Sequence, residues 1–152
     1  MRKTGHGHTV NYLDHSRVTK YVAVEPNVHM HAELRRTASA AGYNTLISVL
    51  TICSIPSPQS TISGLVTEVL KPGGQMLFYE HVLSERKDVV WWQRFWTPLW
   101  SFFFDGCCLD RPSHRWIEGV GGWVQGEGGI WGKEGETEEH LSWHRAGRLV
   151  KA

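Results

Sequence analysis

The chain has 152 residues, which is enough for one domain with a buried core. Sixteen basic and fifteen acidic side chains give a net charge of +1, so no nucleic-acid partner is predicted. Three cysteines, an odd number, argue against a disulfide framework and favour a reducing, intracellular compartment. Neither a signal peptide nor an apolar run of the roughly 20 residues that span a membrane is expected.

The first predicted strand, residues 21–24, is a short apolar run that ends at Glu25. Doubly wound α/β proteins hold the ribose hydroxyls of a nucleotide-like cofactor with an acid at the tip of such a strand. Gly5 and Gly7, about 18 residues before Glu25, have the backbone freedom of a cofactor-binding turn. The alternatives are a helix-capping role for Glu25, since a helix is predicted from Pro26, and a frayed N-terminus for the glycines.

Two further strands and another helix are predicted downstream. Residues 45–52 form a β-branched strand, and an amphipathic helix around 62–70 leads through a Pro-Gly-Gly turn to a strand at 75–82. This alternation predicts an α/β fold with a parallel sheet and helical crossovers. Glu80 and His81 would lie at the tip of the last strand, facing the cofactor crevice. His81 is there a candidate general base, and the alternative is a hydrogen-bonded structural histidine.

Residues 89–104 are dominated by tryptophan and phenylalanine. Three explanations fit this segment: a lid over an apolar substrate, a membrane interface, or core, and we favour the lid or the core. Residues 119–152 are rich in glycine and tryptophan. They predict either a weak hairpin, with residues 140–151 as the returning strand, or a tail.

Other reactive side chains are interpreted as structural. Cys107 and Cys108 lack the Cys-x-x-Cys spacing of redox sites and are expected to be structural or to line a substrate pocket. Asp105 and Arg111 are expected to form a salt bridge that fixes a loop, or else a pair in the substrate pocket. The His-x-His pairs at 6–8 and 29–31 lack a third ligand at a recognised spacing, so no metal site is predicted.

Four short motifs in the second half of the chain carry a family resemblance. They are Phe78-Tyr79-Glu80-His81-Val82, Trp92-Gln93, Pro98-Leu99-Trp100, and Phe104-Asp105-Gly106-Cys107 with Leu109 and Arg111. With the elements before them, they resemble the class I S-adenosylmethionine-dependent methyltransferases of the type 11 kind. More narrowly, they are similar to the thiol and small-molecule methyltransferase-like proteins of the endoplasmic reticulum and lipid droplets, and to their fungal relatives. The resemblance covers about residues 4–118.

The resemblance implies a Rossmann-like sheet that binds S-adenosylmethionine and a small-molecule substrate. The positions that match the family's cofactor site are Gly5, His6, Gly7, Glu25, Pro26, Asn27, Leu50 and Thr51. Those that match its substrate region are Glu80, Trp92, Gln93, Asp105, Gly106 and Arg111. Only four residues precede Gly5, and the helix after Asn27 runs almost directly into the strand at 45. The sheet is therefore expected to be incomplete, without the first strand and one strand–helix unit.

We expect a single methyltransferase-like domain, with a cofactor-binding part at 1–82, an aromatic substrate or lid region at 83–118, and the hairpin or tail at 119–152. The expected reaction moves a methyl group from S-adenosylmethionine to a small apolar thiol, hydroxyl or amine. One alternative is a catalytically inactive fragment that acts as a binding or membrane-interface protein. A less favoured one is a nicotinamide-dependent oxidoreductase, for which residues 5–10 lack the third glycine. The expected location is the cytoplasm or, through residues 89–104, the surface of the endoplasmic reticulum or lipid droplets; no oligomeric state is predicted.

Overall fold

The computed structural model describes residues 45–137 and 139–152. The cofactor residues predicted before them, namely Gly5, His6, Gly7, Glu25, Pro26 and Asn27, lie outside the described residues, as do the two histidine pairs. The described elements are, in chain order, β1 (Thr45–Val49), α1 (Pro58–Gly64) with a π-helical continuation (Leu65–Val69), β2 (Gln75–His81), α2 (Lys87–Phe103), α3 (Ser113–Gly119), β3 (Trp123–Gly132) and β4 (His144–Lys151).

The four described strands form one mixed sheet in the order β1-β2-β4-β3. β1 and β2 are parallel, with Thr45 opposite Gln75 and Val49 opposite Tyr79, and α1 forms the crossover between them. β4 is antiparallel to β2, and β3 is antiparallel to β4. The predicted α/β fold is confirmed. Residues 119–152 were expected to form either a hairpin or a tail, and β3 and β4 form an antiparallel hairpin.

The hydrophobic core lies between the sheet and helices α1 and α3. Along β2 buried side chains alternate with partly exposed ones, as the two-residue period of a strand requires. On the α1 side, buried residues recur every fourth position and form one helical face. The core cluster consists of Leu46, Ile52, Ile62, Val66, Leu70, Met76, Phe78 and Ile117.

β1 is shorter than the strand predicted at residues 45–52. It ends at Val49 because Leu50 adopts a left-handed backbone conformation, with a φ of 48°. The residues that follow form a turn, in which Ser54 N and Ile55 N both donate to Thr51 O. The chain therefore leaves the sheet three residues earlier than the β-branched run suggests.

Helix α2 carries the aromatic segment and leaves most of it exposed. Its buried side chains are Val89 and Gln93, whereas Trp91, Phe95 and Phe102 are 57%, 57% and 81% exposed. The expectation that residues 89–104 form core is therefore wrong for this helix, which leaves the lid and the membrane interface as explanations. Among residues 45–137 and 139–152, no helix combines the length and the apolar character that crossing a bilayer requires.

Candidate functional site

The candidate site lies at the edge of the sheet where β1 and β2 end. Because the two strands are parallel, their carboxyl ends meet at this edge, which is where open α/β sheets bind ligands. The loop that follows α2 reaches the same edge, since Cys107 Sγ lies 3.4 Å from His81 Nδ1 at the end of β2.

Leu50 and Thr51 are the predicted cofactor residues that the structure describes, and they follow β1 directly. The left-handed conformation of Leu50 is unusual for a residue with a side chain and is the kind of strain that occurs at functional sites. Its apolar side chain is 37% exposed. Thr51 N donates to Glu80 Oε1 at 3.0 Å, and the Thr51 hydroxyl donates to Val49 O at 3.0 Å. The end of β1 therefore offers a ligand an apolar contact from Leu50, while the N–H and hydroxyl of Thr51 are already engaged.

Glu80, which was predicted to contact the substrate, is completely buried and holds the turn after β1. Its Oε1 accepts hydrogen bonds from Ser48 Oγ at 2.7 Å and from Thr51 N, and its Oε2 accepts one from Cys53 N at 3.4 Å. Burial raises the pKa of this carboxyl, and the hydrogen bonds from Thr51 and Ser48 oppose the rise. Glu80 therefore joins the ends of β1 and β2 through its carboxylate, and its predicted contact with the substrate stays a prediction.

Arg111 holds the same turn from its other side. Its Nη1 donates to Ile52 O at 2.9 Å and to Ile55 O at 2.7 Å. The expected salt bridge with Asp105 is not among the ion pairs of the described residues. Asp105 and Gly106 instead take left-handed conformations, with φ of 51° and 82°, and make the turn that presents Cys107.

Gln93, another predicted substrate residue, is fully buried on the inner face of α2. Its Nε2 donates to Val82 O and to Leu141 O, each at 3.0 Å, and its Oε1 accepts a hydrogen bond from Ser84 N at 2.9 Å. With all its hydrogen-bonding groups used inside the protein, Gln93 attaches α2 to two loops. Trp92, the neighbouring prediction, is half exposed on the outer face of the same helix.

Cys53, His81 and Cys107 form a compact group at this edge, which we call the thiol–imidazole cluster. The two sulfur atoms are 3.3 Å apart, and the thiol, imidazole and thiol atoms all lie within 4.8 Å of one another. Both cysteines are buried and free, while His81 is partly exposed. Three separate segments of the chain therefore place two thiols and an imidazole together.

The contact between the two thiols shifts their pKa values in opposite directions. A hydrogen bond from Cys53 lowers the pKa of Cys107, and the ring of His81 and the indole of Trp100 lower it further, against the effect of burial. The same hydrogen bond raises the pKa of Cys53, and burial and the nearby Glu80 carboxyl add to the rise. Cys107 is therefore the sulfur that ionises more readily, and Cys53 the one that keeps its proton.

His144 of β4 packs behind the cluster. Its ring centroid lies 4.5 Å from that of His81 and 5.0 Å from that of Tyr79, on which it stacks. Its Nδ1 lies 2.6 Å from Glu136 Oε1. Burial lowers the pKa of His144, and the hydrogen bond to Glu136 opposes that shift. The ring of His81 is thus held between His144 and Cys107.

The sequence interpretation did not single out Cys53 or His144. Cys53 immediately follows the run predicted as a strand at 45–52. Its position at a strand end could therefore have indicated a site residue, as the same position did for His81. His144 belongs to a strand whose position beside β2 becomes apparent only in the folded sheet.

The chain is similar in sequence to thiol S-methyltransferases. It is 30% identical over 100 residues to Thiol S-methyltransferase TMT1B of Rattus norvegicus, a match that covers 65% of this chain and 41% of that protein. It is 35% identical over 99 residues to Thiol S-methyltransferase TMT1A of Homo sapiens, covering 58% of this chain and 40% of that protein. The matches thus span about two fifths of the length of these curated relatives. No family model matches the chain.

Solved structures resemble the chain in fold. A SAM-dependent methyltransferase from Thermotoga maritima superposes with a TM-score of 0.54 at 14% identity, covering 99% of this chain and 80% of that one. The CurJ carbon methyltransferase gives a TM-score of 0.51 at 18% identity, covering 99% of this chain and 47% of that one. At these identities the likeness shows a shared Rossmann-like sheet.

Proposed function

We propose that the chain, which resembles class I S-adenosylmethionine-dependent methyltransferases in sequence and fold, transfers a methyl group from this cofactor to the sulfur of a small thiol. The observation that carries the proposal is the sequence similarity to thiol S-methyltransferases over about 100 residues. The hydroxyl and amine acceptors that the sequence left open have no comparable support among these relatives.

The described part of the proposed cofactor site is the strained, partly exposed Leu50 at the end of β1. Its apolar side chain suits contact with the adenine or the methionine chain of the cofactor. Glu25 is proposed to accept hydrogen bonds from the ribose hydroxyls, and Gly5 and Gly7 to let the backbone approach the cofactor closely. When bound, S-adenosylmethionine supplies the methyl group as an electrophile on a sulfonium.

The protein's contribution to the proposed reaction is to align the acceptor and to exclude water from it. Thiols ionise near neutral pH more readily than alcohols, so transfer to sulfur needs alignment and desolvation more than a strong base. His81 remains the candidate base. Its Nδ1 is turned toward Cys107, which leaves Nε2 to take the proton of an acceptor thiol.

Calorimetric titration of the purified full chain with S-adenosylmethionine tests the proposal, followed by transfer of labelled methyl groups to a panel of small thiols, alcohols and amines. We expect micromolar cofactor binding that Glu25→Ala weakens at least about tenfold. Glu68→Ala, which removes an exposed carboxylate from the π-helical turn, is the matched control and should bind as the wild type does. A folded wild-type chain that does not bind the cofactor, or that methylates only oxygen or nitrogen, would contradict the proposal.

A second candidate function is attachment to a membrane surface through α2. The observation that favours it is the exposed aromatic face of this helix, on which Trp91, Trp92, Phe95 and Phe102 are all about half exposed or more. Tryptophan and phenylalanine on one side of a helix are typical of segments that lie in the lipid headgroup region. Such attachment would bring the proposed active site close to apolar thiols dissolved in lipid.

A further inference from the structure

We propose that the thiol–imidazole cluster of Cys53, His81 and Cys107 is a binding site for Zn²⁺ with one open coordination position. Each of the three residues offers one ligand atom, and these atoms lie together without any change of backbone. The methyl transfer proposed for the chain shares His81 with this cluster but does not require a metal ion there, so binding of the metal and binding of S-adenosylmethionine can fail separately.

The spacing of the ligand atoms is close to that of a tetrahedral zinc site. With Zn–S bonds near 2.3 Å and Zn–N bonds near 2.0 Å, tetrahedral geometry puts two sulfur atoms about 3.8 Å apart and a sulfur about 3.5 Å from a nitrogen. The Cys53–Cys107 sulfur distance is 3.3 Å, and the distance from His81 Nδ1 to Cys107 Sγ is 3.4 Å. The two thiols therefore need to separate by about half an ångström, and the third pair, Cys53 Sγ and the His81 ring nitrogen, lies within 4.8 Å.

The ligand set also fits the chemistry of the metal. Two thiolates and one imidazole are characteristic ligands of zinc, and three protein ligands leave a fourth position for water or another small ligand. In the ion-bound form His81 acts as a ligand rather than as a base.

The backbone around the cluster is fixed before any ion binds. Glu80 and Arg111 hold the turn that carries Cys53, and Cys108 N donates to Cys53 O at 2.9 Å. Cys107 follows the tight turn after α2, where its N donates to Phe104 O at 3.0 Å. Little ordering is therefore left for the ion to impose, which favours binding.

One buried donor near the cluster has no partner. The indole N–H of Trp100 is buried and makes no hydrogen bond with the described residues, and this indole lowers the pKa of the Cys107 thiol. N–H groups directed at a ligating sulfur are typical outer partners of a metal site. Cys108 lies next in sequence but contacts Gly106 O and does not belong to the cluster, which makes it a natural control.

Titration of the reduced full chain with Co²⁺ tests the proposal, because cobalt replaces zinc in such sites and reports its ligands by absorption. We expect one ion per chain, with sulfur-to-cobalt charge-transfer bands and the intense visible bands of a tetrahedral ion, and displacement of cobalt by Zn²⁺. Cys53→Ser, Cys107→Ser and His81→Gln should each weaken binding at least tenfold, while Cys108→Ser should bind like the wild type. Circular dichroism of each variant establishes that it is folded.

The charge-transfer bands separate this site from the histidine pairs at 6–8 and 29–31, which would bind cobalt without sulfur. Absence of those bands in the folded, reduced wild type would overturn the proposal. So would bands that persist unchanged in both Cys53→Ser and Cys107→Ser. Binding of S-adenosylmethionine to the metal-free chain is measured separately, so a failed metal site leaves the proposed methyl transfer untouched.

Discussion

Phe78 of β2 lies directly opposite Gly147 of β4, and its buried ring occupies the space that a side chain at Gly147 would need. A Cβ atom at Gly147 would overlap two ring atoms of Phe78 and also approach Gly129 O. The absence of a side chain at Gly147 therefore leaves room for a large core residue on β2, which lies between β1 and β4 in the sheet.

Gly147→Ala should therefore lower the free energy of unfolding by about 1–3 kcal/mol, because the ring of Phe78 has to move in a packed core. Urea titration followed by fluorescence measures the change. Gly129→Ala on the neighbouring strand is the matched control, since its Cβ would meet nothing within 4 Å. Equal stabilities for the two variants would mean that the packing of the Phe78 ring does not require a glycine at position 147.

Replacing Gln93 by leucine should destabilise the protein by about 3 kcal/mol. The substitution keeps the approximate size of the side chain but leaves Val82 O, Leu141 O and Ser84 N without their partner in a buried place. Gln125→Leu, at an exposed position of β3, should change stability by no more than about 0.5 kcal/mol. If Gln93→Leu is as stable as the control but impairs binding of an acceptor, the structural role would be wrong and the predicted substrate contact would be supported.

Stability should fall as the pH drops below the usual histidine pKa of 6.5, in part because of His114. Burial lowers the pKa of His114, Arg115 and Arg145 lower it further, and Glu85 opposes the shift. Between the usual pKa of His114 in the unfolded chain and its lowered pKa in the folded chain, the unfolded chain binds a proton that the folded chain does not. Lowering the pH through this range therefore favours unfolding.

Urea midpoints measured across this pH range test that expectation for His114→Gln. The variant should show a smaller loss of stability on acidification than the wild type, and His140→Gln, at an exposed position, should follow the wild type. If the stability of His114→Gln fell with decreasing pH as steeply as that of the wild type, His114 would be excluded as a source of the acid sensitivity.

Co-sedimentation with phospholipid vesicles measures the proposed attachment through α2. Removing aromatic surface weakens insertion into the headgroup region, so Trp91→Ser combined with Phe95→Ser should reduce the bound fraction several-fold. Trp131→Ser on β3 removes a side chain that is 52% exposed, close to the 57% of Trp91, and should leave binding unchanged. Binding that is absent from the wild type, or equal in all variants, would remove the membrane from the possible roles of this helix.

The sequence predicted the fold better than the site, for a physical reason. Alternating burial in β2 and the four-residue spacing of Ile62, Val66 and Leu70 are local patterns, and the structure follows both. The partners of Gln93 include Leu141, which is 48 residues away, and Cys53 meets Cys107 across 54 residues. No local pattern encodes such contacts. The family resemblance could therefore place Gln93 near a substrate without revealing its buried partners, and nothing in the sequence indicated that Cys53, His81 and Cys107 come together.

The order β1-β2-β4-β3 also has a consequence for the newly made chain. β4 is the last of these strands to be synthesised, yet it lies between two that come earlier. Until residues 144–151 have left the ribosome, one side of β2 has no neighbour and β3 has nothing to pair with among the described strands. This sheet therefore cannot be completed until β4 has been synthesised. Until then the partly made chain exposes a strand edge with which other chains can pair.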